Sequence, residues 1–125
     1  MAEVVALVDY GAGNLHSVAN ALKAAGCDTV TVTANPDVVR AADRIVLPGV
    51  GSFRACAEGL RAIPHLEEVL AERVLVGGAP FLGICVGMQL MSSRGLEKTV
   101  TTGFGWIAGD VVEMTPSDPG LKIPQ

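Results

Sequence analysis

Cys85 stands in the stretch Gly83-Ile84-Cys85-Val86-Gly87, a glycine-flanked nucleophile frame that follows an apolar run. A chain that turns sharply from strand to helix at such a point holds the central side chain exposed above the sheet. Flanking glycines are needed where neighbouring backbone passes too close for a Cβ. A cysteine facing the start of a helix is favoured as the thiolate, the reactive form. The chemistry implied is nucleophilic attack on an acyl carbon. Cys27 and Cys56 have no such frame: Cys27 follows a helix stop, Cys56 lies in an alanine-rich helix, and both read as packing residues.

Two other loops carry chemistry-bearing residues. Pro48-Gly49-Val50-Gly51-Ser52 ends one strand and opens a helix. The backbone N–H groups of Val50 or Gly51, with that of Val86, can form an oxyanion pocket if the two loops share a sheet edge. Tyr10-Gly11-Ala12-Gly13-Asn14-Leu15 invites a dinucleotide-binding reading, but His16 replaces the third glycine of that fingerprint and no acidic residue ends the second strand. A functional loop on the same sheet edge is the better reading. The histidines supply no evident base. His65 reads as a surface residue. His16, near a helix start, can approach Cys85, but that position disfavours the imidazolium a general base must become.

The elements that must position these groups alternate between strand and helix. Strands are expected at Val4–Val8, Asp28–Val32, Ile45–Leu47 and Phe81–Ile84, and helices at Leu15–Ala25, Asn35–Ala42, Ser52–Arg61, from Pro64 onward, and Gly87–Met91. Asn14 is expected to cap the first helix and Gly26 to stop it. Such alternation implies right-handed βαβ units in an open, mainly parallel sheet with helices on both faces. Half of the 125 residues are apolar and only 18% are charged, which suits strands covered on both sides. Beyond Ser92 the pattern changes: Trp106-Ile107 and Asp110–Met114 read as strand material separated by Gly109, followed by a loop and a further strand starting at Leu121.

Several classes are excluded. A net charge of −4 offers no basic field for nucleic acid or anionic lipid, and five aromatic residues (one Trp, one Tyr, three Phe) offer no base-stacking platform. No C-x-x-C pair points to zinc, and no metal or cofactor site is expected. The uncharged stretch Val74–Ser93 has the length of a membrane span, but Gly77-Gly78, Pro80 and Gln89 interrupt it, and a strand followed by a helix explains it better. The odd cysteine count and the lack of a leader signature at Met1–Val5 imply a reducing, cytoplasmic setting.

Taken together, Gly83-Ile84-Cys85-Val86-Gly87-Met88-Gln89 resembles the nucleophile elbow of the class I, triad-type glutamine amidotransferases, and Pro48–Phe53 resembles their oxyanion strand. Asp9–Val18, Gly103–Val112 and Lys122–Gln125 look like the glutaminase subunits, within that family, that serve imidazole glycerol phosphate synthesis. The resemblance implies a flavodoxin-like glutaminase fold over one domain, residues 1–125, with Cys85 attacking the side-chain amide of glutamine. It implies that Val50, Gly51 and Val86 form the oxyanion pocket and that Gly49 and Gln89 hold the substrate. It also implies that Gly11, Gly13, Asn14, His16 and Ser17 face a partner, a (β/α)₈-barrel cyclase that takes up the ammonia, with no cofactor. The family's catalytic histidine and glutamate have no counterparts here, so the chain reads as cut inside its fold, with its C-terminal part missing and poor activity alone. Another amidotransferase of this class, an elbow-cysteine hydrolase and a non-catalytic doubly wound binding module are the competing readings.

Overall fold

The computed structural model describes residues 3–123. Val4–Val8 forms β1, a run of apolar residues buried on both sides, as a central parallel strand requires. Leu15–Ala24 forms α1, where the Asn14 side chain caps by accepting the Ser17 N–H at 3.3 Å and Gly26, at φ +101°, ends the helix. Thr29–Thr33 forms β2, Pro36–Ala41 α2, Arg44–Leu47 β3 and Phe53–Arg61 α3. Ser52 caps α3 through the Ala55 N–H. Leu66–Ala71 forms α4 and passes into a π-helical segment, Glu72–Val76. Phe81–Gly83 forms β4 and Val86–Gln89 forms α5.

The sheet runs β2-β1-β3-β4, all parallel, with Val5 opposite Val30 and Arg44, and Val46 opposite Leu82. Its two faces bury different residues of the same strands. Ala6, Val8, Ile45 and Leu47 pack against Val39, Phe53, Leu60, Leu66 and Leu70 from α2, α3 and α4. Val5, Leu7 and Val46 pack against Leu15, Val18, Ala19 and Leu22 from α1. The expected open parallel sheet with helices on both faces is therefore the architecture found.

The chain after α5 departs from expectation. Ser92–Gly95 (β5), Thr101–Thr102 (β6) and Ile107–Val111 (β7) make a second sheet, ordered β6-β5-β7, that the sequence reading did not contain. Its first strand is polar and carries no alternation, so its pairing comes from the surrounding backbone rather than from side-chain pattern. Gly109 does not separate two strands. It lies within β7 at φ +147°, where the register with β5 slips. Residues 121–123 form no strand, and the rest of that expected strand, Pro124 and Gln125, lies outside the described residues.

This second sheet buttresses the elbow helix. The N–H groups of Phe104, Trp106 and Ile107 bond the carbonyls of Leu90 and Met91 just after α5. Arg61 of α3 bonds Glu67 and the carbonyls of Thr102 and Gly103. Trp106 meets Phe81 edge-on, with ring centroids 5.1 Å apart. No helix among the described residues is long and apolar enough to cross a membrane, and β4 occupies the middle of the stretch that has the length to do so.

Candidate active site

The order β1-β3-β4 brings three βα loops side by side at the carboxyl ends of their strands, where open parallel sheets bind ligands. Cys85 occupies the turn between β4 and α5 at φ 56° and ψ −121°. Only His65 shares a positive φ with it among the described non-glycine residues. The conformation lets the Cys85 side chain stand exposed while its neighbours Val86 and Gly87 are buried. The flanking glycines are fixed by approach: a Cβ on Gly87 would lie 2.0 Å from the Leu47 carbonyl oxygen, and one on Gly83 2.7 Å from the Met88 Cα. The sharpness of the turn thus follows from the close packing of α5 onto the ends of β3 and β4.

The loop after β3 lies directly against this elbow. The Val86 N–H donates to the Gly49 carbonyl at 3.3 Å, and the Ile84 N–H to the Leu47 carbonyl at 2.9 Å. Gly49 is buried, Val50 is exposed and Gly51 has φ +111°. The N–H of Val86 is therefore engaged by the loop rather than directed into open space. Gln89 lies one helical turn beyond Cys85, its N–H bonded to the Cys85 carbonyl at 3.1 Å, and its side chain is half-buried.

The loop after β1 reaches the same edge. Gly11, Ala12, Gly13, Asn14 and Leu15 line a shallow open depression together with Val50. Gly13 abuts Pro48, whose Cβ lies 2.9 Å from the position of a Gly13 Cβ. His16 and Ser17 are exposed on the first turn of α1, and His16 Nε2 shares a hydrogen bond with Asn20 Nδ2 at 3.2 Å. His65 is at the opening of α4, 3.7 Å from the Glu68 carboxylate. Among the described residues neither histidine hydrogen-bonds Cys85, and no group of three His, Cys, Asp or Glu side chains is arranged to hold a metal ion.

Two side chains at this edge escaped the sequence reading. Tyr10, two residues past β1, is buried, and its hydroxyl donates to the Pro48 carbonyl. Cys56 of α3 is buried, as expected of a packing residue, but its thiol also donates to the Val50 carbonyl at 3.4 Å. Burial pushes the Tyr10 hydroxyl well above the ordinary phenol range, with the neighbouring Cys56 and Cys85 adding to the rise. Burial likewise raises the Cys56 thiol. Both groups therefore remain protonated donors at neutral pH. The available signals were the chain's single tyrosine following an apolar strand, and a cysteine one turn past the Ser52 cap, placed to point back toward the loop.

The family model described as glutamine amidotransferase class-I matches residues 6–115. Curated relatives agree over nearly the whole chain. The imidazole glycerol phosphate synthase subunit HisH of Agrobacterium fabrum (strain C58 / ATCC 33970) is 63% identical over 126 aligned residues, covering 97% of this chain. The proteins of that name from Rhizobium meliloti (strain 1021) and Zymomonas mobilis subsp. mobilis (strain ATCC 31821 / ZM4 / CP4) are 59% and 57% identical, over 97% and 96% of this chain. The chain spans 57–58% of the length of these relatives.

Proposed function

The chain belongs to the class-I glutamine amidotransferase family, and from that premise we propose that Cys85 is the nucleophile of a glutaminase. The observation that carries the reading is the exposed cysteine at φ 56° on a glycine-flanked turn, with a glycine-rich loop against the N–H that follows it. The Cys85 thiolate attacks the side-chain amide carbon of glutamine. The tetrahedral intermediate collapses, the C–N bond breaks, and ammonia leaves with the proton that a general base took from the Cys85 thiol and now returns as the acid. Water then hydrolyses the thioester to glutamate and frees the thiol. The base, and the group orienting it, are assigned to the part of the relatives' length that these residues do not match, so residues 1–125 alone are expected to turn glutamine over poorly.

Charge develops on the amide oxygen, and two N–H donors are assigned to it. Val86 follows the nucleophile in the chain, and Val50 sits in the loop against it. Because the Gly49 carbonyl occupies the Val86 N–H at 3.3 Å, the resting pocket lacks that donor. Rotation of the Gly49–Val50 peptide removes the carbonyl and turns the Val50 N–H toward the same place, gaining two donors in one movement. Each is worth about 3 kcal/mol of barrier. The bond being broken is long, so its loss costs little. Gly49 and Gln89 hold the amino-acid end of glutamine. Gly51, at φ +111°, gives the loop the freedom to turn.

The named relatives are subunits of imidazole glycerol phosphate synthase. Ammonia from Cys85 is accordingly passed to a cyclase subunit, a (β/α)₈ barrel docked over the loop that includes Gly11, Gly13, Asn14, His16 and Ser17. The open depression between that loop and Val50 supports a docking surface there.

A glutamine-mimicking electrophile tests this reading in the full-length protein with its partner. Cys85 should be labelled ahead of Cys27 and Cys56, with glutamine protecting it, and Cys85→Ala should abolish ammonia release. Labelling spread evenly over the three cysteines, or turnover surviving in the variant, defeats it.

A further inference from the structure

The Tyr10 hydroxyl and the Cys56 thiol are close neighbours beneath the loop, and they bond carbonyls on either side of one peptide. The Tyr10 hydroxyl holds the Pro48 carbonyl, which belongs to the 48–49 peptide. The Cys56 thiol holds the Val50 carbonyl at 3.4 Å, which belongs to the 50–51 peptide. Between them lies the 49–50 peptide, whose carbonyl takes the Val86 N–H. The two bonds thus fall on the outer peptides and leave the central one free of either.

We propose that Tyr10 and Cys56 are positioning residues that clamp the two outer carbonyls of the Pro48–Gly51 turn, so that the Gly49–Val50 peptide can rotate between fixed ends. The inference rests on the glutaminase reading given above and adds to it which buried side chains set the loop. A peptide turning between held neighbours changes ψ of Gly49 and φ of Val50 in opposite senses. Gly49 tolerates either sign. Val50 is 63% exposed, so its side chain adds little packing that would resist the turn.

The support for the clamp is itself rigid. The Tyr10 side chain is 6% exposed, and its backbone and ring border Gly59 of α3, 3.1 and 3.7 Å from where a Cβ there would lie. Its hydroxyl lies 2.7 Å from the position of a Gly49 Cβ, as does the Gly87 backbone nitrogen, so the loop passes close against both. Cys56 is fully buried on α3, which Ser52 caps immediately after the loop. Both anchors therefore belong to the main core, Tyr10 two residues past β1 and Cys56 on α3. Both are protonated donors at neutral pH, as a clamp on carbonyl oxygens needs.

The test uses Tyr10→Phe, Cys56→Ser and Cys56→Ala in the full-length protein with its partner subunit. Each variant is measured for melting temperature, for kcat and KM of glutamine hydrolysis, and for amide hydrogen exchange at Val86. Tyr10→Phe and Cys56→Ala should each lower kcat roughly five- to thirty-fold, the scale of one lost hydrogen bond, with KM within about two-fold. Val86 exchange should quicken in the same two variants. Cys56→Ser restores a donor to the Val50 carbonyl and should keep at least about half of the parent kcat and its exchange protection. A role in packing alone reverses the cysteine order, because a buried serine is then worse than alanine. The clamp is overturned if Cys56→Ala equals or exceeds Cys56→Ser, or if Tyr10→Phe leaves both kcat and Val86 exchange unchanged. Should either position fail to fold when substituted, the other decides. Absence of glutamine hydrolysis in the unmodified protein would defeat the glutaminase reading, while the order of Val86 exchange rates would still judge the clamp.

Discussion

Cys85→Gly should make the protein more stable than Cys85→Ala while neither variant retains activity. Cys85 is held at φ 56° and ψ −121°, a region that side chains with a Cβ seldom occupy. Such a residue costs of order 1–3 kcal/mol. Alanine keeps the Cβ and therefore the strain, and because the Cys85 side chain is exposed, its truncation removes little buried surface. Glycine relieves the strain but adds freedom to the unfolded chain, a loss of about 0.4–1 kcal/mol. The difference between the two variants is therefore about 0–2.6 kcal/mol in favour of glycine, centred near 1.3. At roughly 2–4 °C per kcal/mol for a chain of about 150–250 residues, the centre is a rise of about 3–5 °C. Thermal and urea denaturation of the two full-length variants measures it, and comparison of variants cancels the chemistry of the lost thiol. Glycine below alanine would mean that the elbow stores no strain and that the turn is held by something other than the packing of α5 onto β3.

The flanking glycine gives the complementary result. Gly87→Ala sets a Cβ 2.0 Å from the Leu47 carbonyl oxygen, backbone against backbone, and should destabilise the protein by about 3 kcal/mol or more, read from denaturation midpoints. Buried Cys56 predicts a pH dependence. Its folded pKa is raised by burial, so the unfolded chain releases the thiol proton first, and the stability tied to that proton is full below about pH 8.5 and falls as pH rises through the higher folded value. Cys56→Ser, which does not titrate there, should flatten the fall in unfolding free energy between about pH 8 and 10; an unchanged slope would show that the thiol is not held protonated.

The parallel sheet was legible because its inner strands are buried on both faces. Val4–Val8 and the stretch ending in Leu47 had to be nearly unbroken apolar runs, and the caps Asn14, Asn35 and Ser52 marked where helices begin. The elbow was legible because it needs a rare combination, a cysteine between glycines after such a run. Ser92–Gly95 was not legible, since Ser-Ser-Arg-Gly has no alternation and becomes a strand only by pairing with Ile107–Val111 and Thr101–Thr102. Gly109 misled for a related reason: glycine usually breaks a strand, but here it takes up the register slip within one. Tyr10 and Cys56 were invisible as loop anchors because their partners are carbonyls of residues 38 and 6 positions away. No residue type in the sequence announces an acceptor that every residue carries.

The site therefore divides into two kinds of part with different physical origins. Cys85, the proposed nucleophile, is held in a strained turn, and its exposure follows from local chain geometry that Gly83 and Gly87 enforce. The proposed oxyanion donors are backbone groups whose direction depends on which acceptor they meet, and in the present arrangement the Val86 N–H meets the Gly49 carbonyl. A strained turn responds to substitution at its own residues, whereas a backbone donor responds to whatever holds the peptide planes beside it. For that reason changes at Gly83, Cys85 and Gly87 should appear first in stability, and changes at Tyr10 and Cys56 first in kcat. The second sheet belongs with the first group, since its bonds to the carbonyls of Leu90 and Met91 and the contact of Trp106 with Phe81 hold α5 and β4 on either side of Cys85.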